Sequence, residues 1–66
     1  MLLQIIVPTY SGVVEDVELF KTEKEALEWL SEETGEEFDT VEEFAAWQNE
    51  NADANTQYSW FEREVS

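Results

Sequence analysis

The chain has 66 residues, with no cysteine and no histidine. It contains 17 Asp and Glu residues but only 3 Lys and Arg residues, which gives a formal net charge of −14. This composition excludes disulfides, cysteine-ligated zinc and catalysis by a histidine or cysteine side chain. It also argues against direct binding of nucleic acid or of an anionic membrane, because phosphate binding needs a basic patch.

The length allows one domain, residues 1–66, with one modest core. Aromatic residues make up 14% of the chain, and we expect their packing to replace the missing disulfides. The segment Leu2–Tyr10 predicts the first strand. One of its faces has Leu3, Ile5 and Val7 and the other includes Ile6, so that both faces are apolar, as is typical of a central strand.

Pro8 cannot donate a hydrogen bond to a neighbouring strand, so it predicts either the end of regular pairing or a bulge. Ser11 and Gly12 predict a turn. Val13–Phe20 then predicts a second strand, which completes a β-hairpin. On that strand we expect one face to hold Val13, Val17 and Leu19, and the other to hold Asp16 and Glu18.

Two helices follow, and each begins with a capping box: Thr22 with Glu25, then Thr40 with Glu43. Gly35 predicts the end of the first helix. The apolar stripe of the first helix is expected to contain Ala26, Leu27 and Leu30, with Trp29 at its edge and Glu25, Glu28 and Glu32 opposite. The stripe of the second helix is expected to contain Val41, Phe44, Ala45, Gln48 and Ala52, with Trp47 at its edge.

Residues Asn51–Gln57 predict a loop and Tyr58–Val65 a third strand. The predicted fold class is α+β with the order ββααβ, in which a two-helix hairpin covers one face of a three-stranded sheet. We expect the first strand to be central and the third to lie parallel beside it after a right-handed crossover; a meander is the alternative. The uncovered face is either a solvent face or a dimer or partner contact. It is expected to hold Leu2, Ile6, Tyr10, Val14 and Phe20.

Neither catalysis nor a bound cofactor is expected. Adjacent carboxylates such as Glu36 and Glu37 are abundant, but exposed helices offer no cleft that would make one of them a catalytic acid. The spacing of Asn51, Asp53, Asn55 and Glu62 is that of a calcium loop, yet Thr56 stands where such a loop needs glycine, and a strand follows where it needs a helix.

The helix hairpin is the candidate binding surface. Carboxylates three or four residues apart on a helix stand about 5–6 Å from each other. Rows of this kind present a field similar to that of a nucleic-acid strand, which a groove lined with Lys and Arg would bind. The predicted partner-binding residues are Glu25, Glu28, Glu32, Glu33, Glu36, Glu37, Asp39, Glu42, Glu43 and Glu50.

In size and acidity the whole chain resembles the small phage-encoded inhibitors that act as DNA mimics, among them several anti-CRISPR proteins. This resemblance assigns no role to any individual residue. It implies a protein that competes for the DNA-binding channel of a CRISPR effector or a similar basic nucleic-acid-binding protein. We expect a cytoplasmic protein, in the host cytoplasm if it is phage-encoded, that is a monomer or a weak homodimer.

Two other hypotheses follow from the same composition. One is a general protein-interaction or subunit module whose contacts are mainly apolar, so that its binding would survive high salt. The other is an adaptation to high salt, in which the acidic side chains have no specific partner.

Overall fold

The computed structural model of the protein describes residues 1–51 and 55–65. Within them the elements are β1 (Leu2–Tyr10), β2 (Val13–Val14), β3 (Glu18–Phe20), α1 (Glu23–Thr34), α2 (Val41–Glu50) and β4 (Thr56–Glu64). The α+β class and the order ββααβ are confirmed, with the predicted second strand divided into β2 and β3. The predicted loop is shorter than expected, because Thr56 and Gln57 already pair with β1; the rest of that prediction, residues 52–54, lies outside the described residues.

β1 is the central strand, as predicted. β4 pairs antiparallel along all of β1, from Leu2 opposite Glu64 to Tyr10 opposite Thr56. Since a strand has two edges and β4 occupies one, β2 and β3 share the other, again antiparallel. The predicted parallel pairing of the last strand with β1 is therefore wrong. The helical connection instead joins β3 to β4, which run in the same direction on either side of β1.

Pro8 predicts a bulge, and the structure has one in the outer strand directly opposite Pro8. Thr9 pairs with Val14 and Ile6 pairs with Glu18, so that residues 15–17 of the outer strand face only residues 7 and 8 of β1. The carbonyl of Pro8 accepts a hydrogen bond of 3.0 Å from the Glu15 amide, which places the proline nitrogen on the same edge of β1. A bulge at that point accommodates a residue that has no N–H to donate.

The turn and the helix caps also follow the sequence. Ser11 and Gly12 both have positive φ, 50° and 84°, as a two-residue hairpin turn requires. The Thr22 side chain accepts from the Glu25 amide at 3.1 Å, and the Thr40 side chain accepts from the Glu43 amide at the same distance. Gly35, with φ 78°, ends α1 in the left-handed conformation.

The face of the sheet that the helices cover is the opposite of the face predicted to be covered. Gln4 and Ile6 of β1 are buried beneath α1 and α2, and Phe20 packs against the same core. Leu3, Ile5 and Val7, which alternate with them, lie on the uncovered face. The physical reason is the pair formed by Gln4 and Trp60, in which the indole Nε1 donates to Gln4 Oε1 at 2.8 Å across 56 residues of sequence. That bond satisfies a buried amide that the alternation pattern treats as a solvent-facing residue.

A second prediction, that Val13 and Leu19 share one face of the sheet, is wrong because of the bulge. Val13 stands opposite Tyr10 on the helix side of the sheet, whereas Leu19 stands opposite Ile5 on the uncovered side. The two residues therefore do not share a face, because the extra residue in the bulge reverses the alternation between β2 and β3. Val14, which pairs with Thr9, lies on the uncovered face as expected.

The helix stripes are largely as predicted. Ala26, Leu27 and Leu30 of α1 are buried, and so is Phe44 of α2. Ala45 of α2 is exposed instead of buried. The reason lies in the aromatic packing, since Phe44 and Trp47 turn α2 so that Ala45 points outward. Ala52, the last residue of the predicted stripe, lies outside the described residues.

Phe44 is the centre of the core. Its ring lies 5.4 Å from the ring of Phe38, 5.9 Å from Trp60, and 6.3 Å from both Trp47 and Tyr58, measured between centroids. Tilted, edge-on and stacked aromatic pairs of this kind are each worth about 0.5–1.5 kcal/mol beyond their buried area. Aromatic packing thus holds together a chain with few aliphatic core residues.

Gln48 fastens α2 to the free edge of β4. Its side-chain Nε2 donates to the Tyr58 carbonyl, and its Oε1 accepts from the Tyr58 amide, both at 2.7 Å. Pro8, the β1 partner of Tyr58, directs its own carbonyl toward β2. The backbone groups of Tyr58 therefore face outward, where Gln48 takes the place of a neighbouring strand.

Replacing Gln48 by leucine preserves most of the volume and removes both hydrogen bonds. We expect the free energy of unfolding to fall by about 2 kcal/mol, because a backbone donor and acceptor in a half-buried place lose their partner. Urea unfolding followed by tryptophan fluorescence measures the change. Asn49→Leu, at the exposed neighbouring position, is the control and should change stability by less than about 0.5 kcal/mol. An equal change in both variants would contradict the role given to Gln48.

Candidate protein-binding surfaces

The outer side of α1 presents a row of carboxylates. Burial of Ala26, Leu27 and Leu30 against the sheet fixes the rotation of the helix. Glu28 and Glu32 consequently stand exposed on the opposite side. Four helical residues correspond to a rise of about 6 Å, so the two carboxylates are near neighbours on a rigid scaffold.

The loop between the helices is anchored against α1. The Phe38 amide donates to Ser31 Oγ at 3.2 Å, and its buried ring packs edge-on against Phe44. Glu37 and Asp39 flank Phe38 and are exposed. An aromatic residue thus holds two acidic neighbours beside the helix, and a lone Phe within an acidic loop is the sequence signal for such an anchor.

A groove of about 710 Å³ lies between α1 and this loop. Leu27 and Phe38 supply its apolar walls, and Lys24 is the basic side chain along it. We call it the acidic groove, because its other charged lining residues are Glu23, Glu28, Glu32, Glu37 and Asp39.

A second cavity of about 360 Å³, which we call the aromatic cleft, lies on the other side of α1. Trp29 and Tyr58 stand edge-on in it, with ring centroids 6.1 Å apart. Its carboxylates come from distant parts of the chain and are Glu15, Asp16, Glu18 and Glu33. Burial, and then the negative charges of Glu33 and Glu15, raise the pKa of Tyr58 above its ordinary value, so the phenol stays neutral at pH 7.

The predicted partner-binding carboxylates are all exposed, but they do not form one cluster. Four of them line the acidic groove, namely Glu28, Glu32, Glu37 and Asp39. Glu33 lines the aromatic cleft instead. The others lie outside both cavities and are Glu25, Glu36, Glu42, Glu43 and Glu50. Sequence reasoning missed the lining residues Glu15, Asp16, Glu18 and Glu23.

Two of the predicted residues have a structural role. Glu25 Oε2 accepts from the Lys21 amide at 3.4 Å, and Glu43 Oε1 accepts from the Thr40 hydroxyl at 3.5 Å. Both lie in the first turn of their helix, where a carboxylate is favourable to the helix dipole. Their negative charge therefore has an explanation within the fold.

Carboxylates at the other ends of the helices have no such explanation. Glu32 and Glu33 lie in the last turn of α1 and Glu50 ends α2, and these last turns, both within the described chain, contain no basic residue. A carboxylate there opposes the helix dipole and costs about 0.3–1 kcal/mol. Fold stability thus does not account for these residues.

The uncovered side of the sheet differs from the rest of the surface. We call it the open sheet face; the strand residues on it are Leu3, Ile5, Val7, Thr9, Val14, Leu19, Gln57, Ser59, Phe61 and Arg63. Its only charged member is Arg63, and so no carboxylate lies on this face among the described strand residues. The molecule is therefore divided into an acidic helical side and an apolar sheet side.

The described residues give no sign of a metal site. Asn51 of the calcium-like spacing closes α2, with its side-chain Nδ2 donating to the Trp47 carbonyl at 2.8 Å, and Asp53 lies outside the described residues. Within residues 1–51 and 55–65, no group of three or more acidic side chains is arranged to hold a metal ion. In the same ranges, no helix has both the length and the apolar character needed to cross a membrane.

Comparison of the chain with protein-family models, with curated proteins and with solved structures found no match.

Proposed function

We propose that this protein is an inhibitor that binds a basic nucleic-acid-binding protein and occupies the place of its DNA or RNA. The observation that carries the proposal is the division of charge: acidic side chains cover the helical side, whereas the described strand residues of the open sheet face include no carboxylate. A net charge of −14, with no carboxylate among the described strand residues of one face, is an electrostatic match for a cationic channel.

The energetic basis is the release of counterions and the formation of charged hydrogen bonds. A channel that holds nucleic acid carries Lys and Arg side chains whose binding energy comes largely from phosphate contacts. Carboxylates such as Glu28 and Glu32 offer two oxygen acceptors each, which arginine can engage in a bidentate pair. The protein thus competes for the same cations that would otherwise bind phosphates.

Rigidity increases this effect. The Glu28 and Glu32 side chains stand on a helix, and the loop with Glu37 is fixed by the Phe38 anchor. Because the backbone that carries these carboxylates is fixed before binding, only the rotational freedom of their exposed side chains is lost on complex formation. The acidic groove is therefore the first place at which we expect a partner's basic side chains to bind.

The aromatic cleft offers a second contact of related chemistry. Trp29 is half-buried beside Glu18 and Glu33. A guanidinium group can stack on an indole ring while it pairs with neighbouring carboxylates. An arginine of the partner thus fits this cleft better than a lysine.

CRISPR effectors are one target class of the required kind, because they hold a nucleic-acid duplex in a positively charged channel. In this function the protein has no catalytic step and needs no cofactor. Its site of action is the cytoplasm that contains the target, which is the host cytoplasm for a phage-encoded inhibitor.

A competition experiment tests the proposal. A panel of guide-loaded CRISPR effectors is bound to fluorescent target DNA, and the protein is titrated in at about 50 and about 200 mM NaCl. We expect it to displace DNA from a member of the panel and to lose at least tenfold in affinity at the higher salt, because exposed charge pairs are screened. Binding that leaves DNA in place, or binding unaffected by salt, contradicts mimicry.

The open sheet face favours a second candidate function, that of a protein-interaction module with mainly apolar contacts. Leu19 and Phe61 are more than half exposed there, at 59% and 55%. Contact through such residues buries apolar area and is insensitive to moderate salt. The salt dependence of binding therefore separates the two functions.

A further inference from the structure

The open sheet face has an apolar patch that crosses three strands. Leu19 of β3, Ile5 of β1 and Phe61 of β4 stand side by side in one row of the sheet. Val7 and Val14 extend this patch toward the hairpin turn. The outer members of the row are more than half exposed, as is Val14, so the helices of the same chain leave them uncovered.

Each edge of the sheet is interrupted at one place. On one edge the bulge opposite Pro8 interrupts the β2–β3 strand. On the other, Gln48 occupies the outward backbone groups of Tyr58, the third residue of β4. Interrupted edges disfavour association by a continuous sheet and leave the face as the apolar contact.

The negative charge of the protein limits which molecules can pack on the open sheet face and in what orientation. Two copies carry −14 each and repel wherever their carboxylates meet. The open sheet face is the side on which the described strands present no carboxylate, and Arg63 adds a positive charge near one end of it. A second copy can therefore pack here without bringing acidic groups into contact.

We propose that two copies of this chain associate through their open sheet faces to form a weak dimer that is favoured by salt. Packed sheets lie about 10 Å apart, and each helical layer lies behind its own sheet, so the two acidic sides point away from each other. At 0.15 M salt the Debye length is about 8 Å, so most of the remaining repulsion between the copies is screened. The dimer presents acidic helical surfaces on both of its outer sides.

The size of the face limits the strength of the dimer. Seven residues of β1 and three strands span a flat sheet area of about 300 Å², from the usual rise and strand spacing. A stable complex buries about 800 Å² per partner. We therefore expect association at protein concentrations of about 0.1–1 mM instead of nanomolar affinity.

Sedimentation velocity tests the proposal at protein concentrations up to about 1 mM, in about 20 mM and about 500 mM NaCl. We expect monomer at low salt, and at high salt and about 1 mM protein a weight-average mass of about 1.5 to 1.8 times that of the monomer, as a dissociation constant of about 0.1–1 mM requires. The charge-neutral variant Leu19→Gln with Phe61→Gln should remain monomeric in both. The matched control, Ala45→Gln with Ala46→Gln, changes two exposed residues of α2 and should dimerise like the parent.

Three outcomes overturn the proposal. The first is a parent protein that stays monomeric at the highest concentration and salt. The second is a dimer that persists when Leu19 and Phe61 are both replaced, and circular dichroism verifies that this variant is folded. The third is a dimer whose NMR amide shifts change along the outer edge of β4 instead of on the open sheet face.

Discussion

Replacement of Phe44 by alanine is expected to remove a large part of the free energy of unfolding of the protein. Phe44 is 3% exposed and contacts four other aromatic rings. A buried Phe→Ala change costs about 3–5 kcal/mol through lost burial and the cavity left behind. At about 0.05–0.15 kcal/mol per residue, the whole chain has a stability of about 3–10 kcal/mol. Thermal unfolding followed by circular dichroism measures the loss.

The same truncation on the other side of the sheet is the matched control. Phe61→Ala removes an equal number of atoms from a side chain that is 55% exposed. We expect it to cost about 1 kcal/mol or less, the value of its cross-strand contacts with residues such as Ile5. If Phe61→Ala is as damaging as Phe44→Ala, the open sheet face is part of a core and the fold described above is incorrect.

Local features of this fold can be predicted because each depends on neighbours in sequence. The Thr22 and Thr40 caps need only a side-chain oxygen three residues before an amide. Gly35 needs only its own freedom at positive φ. Pro8 signals a bulge because a missing N–H is a property of the residue itself. These elements are all found where the sequence predicts them.

The choice of core face depends on contacts between distant residues. Alternation along β1 gives two apolar faces and does not rank them. A polar residue at position 4 argues against burial of the even-numbered face, yet the Gln4 amide is satisfied by Trp60, which the chain brings close only through β4. A buried polar residue with a distant partner therefore reverses the assignment that the pattern favours.

Strand direction is a second long-range property. Crossover rules apply to two parallel strands joined by helices. Here those strands are β3 and β4, and β1 lies between them. No local sequence pattern indicates that β1 lies between them. The crossover rule therefore holds for β3 and β4 and does not apply to β1 and β4.

The candidate site also has some features that can be predicted from the sequence and others that cannot. Exposure of the acidic side chains can be predicted from the stripes of α1 and α2, because burial of one side of a helix exposes the other. Their grouping cannot, since Glu37 joins Glu28 only through the docking of Phe38 on Ser31. Likewise Glu15 and Glu33 meet at the aromatic cleft only after the sheet and α1 have packed together.

The acidic side chains in the last turns of the two helices do not contribute to the stability of the fold. Glu32, Glu33 and Glu50 oppose the helix dipoles, and the ion pair that forms among the described residues is an exposed one between Glu64 and the Met1 amine. Exposed ion pairs contribute about 0–1 kcal/mol. Fold stability therefore does not explain these carboxylates, and their binding to a cationic partner belongs to the proposed function.

Removing the charges of Glu28 and Glu32 together, as Glu28→Gln with Glu32→Gln, is expected to weaken binding to the effector identified by competition about 10- to 100-fold. Each carboxylate is expected to form a charged hydrogen bond with the target, and the loss of about 0.7–1.4 kcal/mol per residue gives this factor. Displacement of labelled DNA at about 50 mM NaCl measures it. The variant should be at least as stable as the parent, because one carboxylate is removed from the last turn of α1.

The matched control for that change is Glu62→Gln with Glu64→Gln. It removes two charges from exposed positions of β4, outside both cavities, together with the exposed ion pair between Glu64 and the Met1 amine, which contributes about 0–1 kcal/mol to stability. If the acidic groove is the binding site, this pair loses only the long-range part of the attraction, about threefold or less. Equal losses from the two pairs would mean that net charge alone drives binding and that α1 has no special role. No loss from Glu28 and Glu32 would remove the acidic groove from the interface, since rigid carboxylates that contact the target cannot be neutralised without cost.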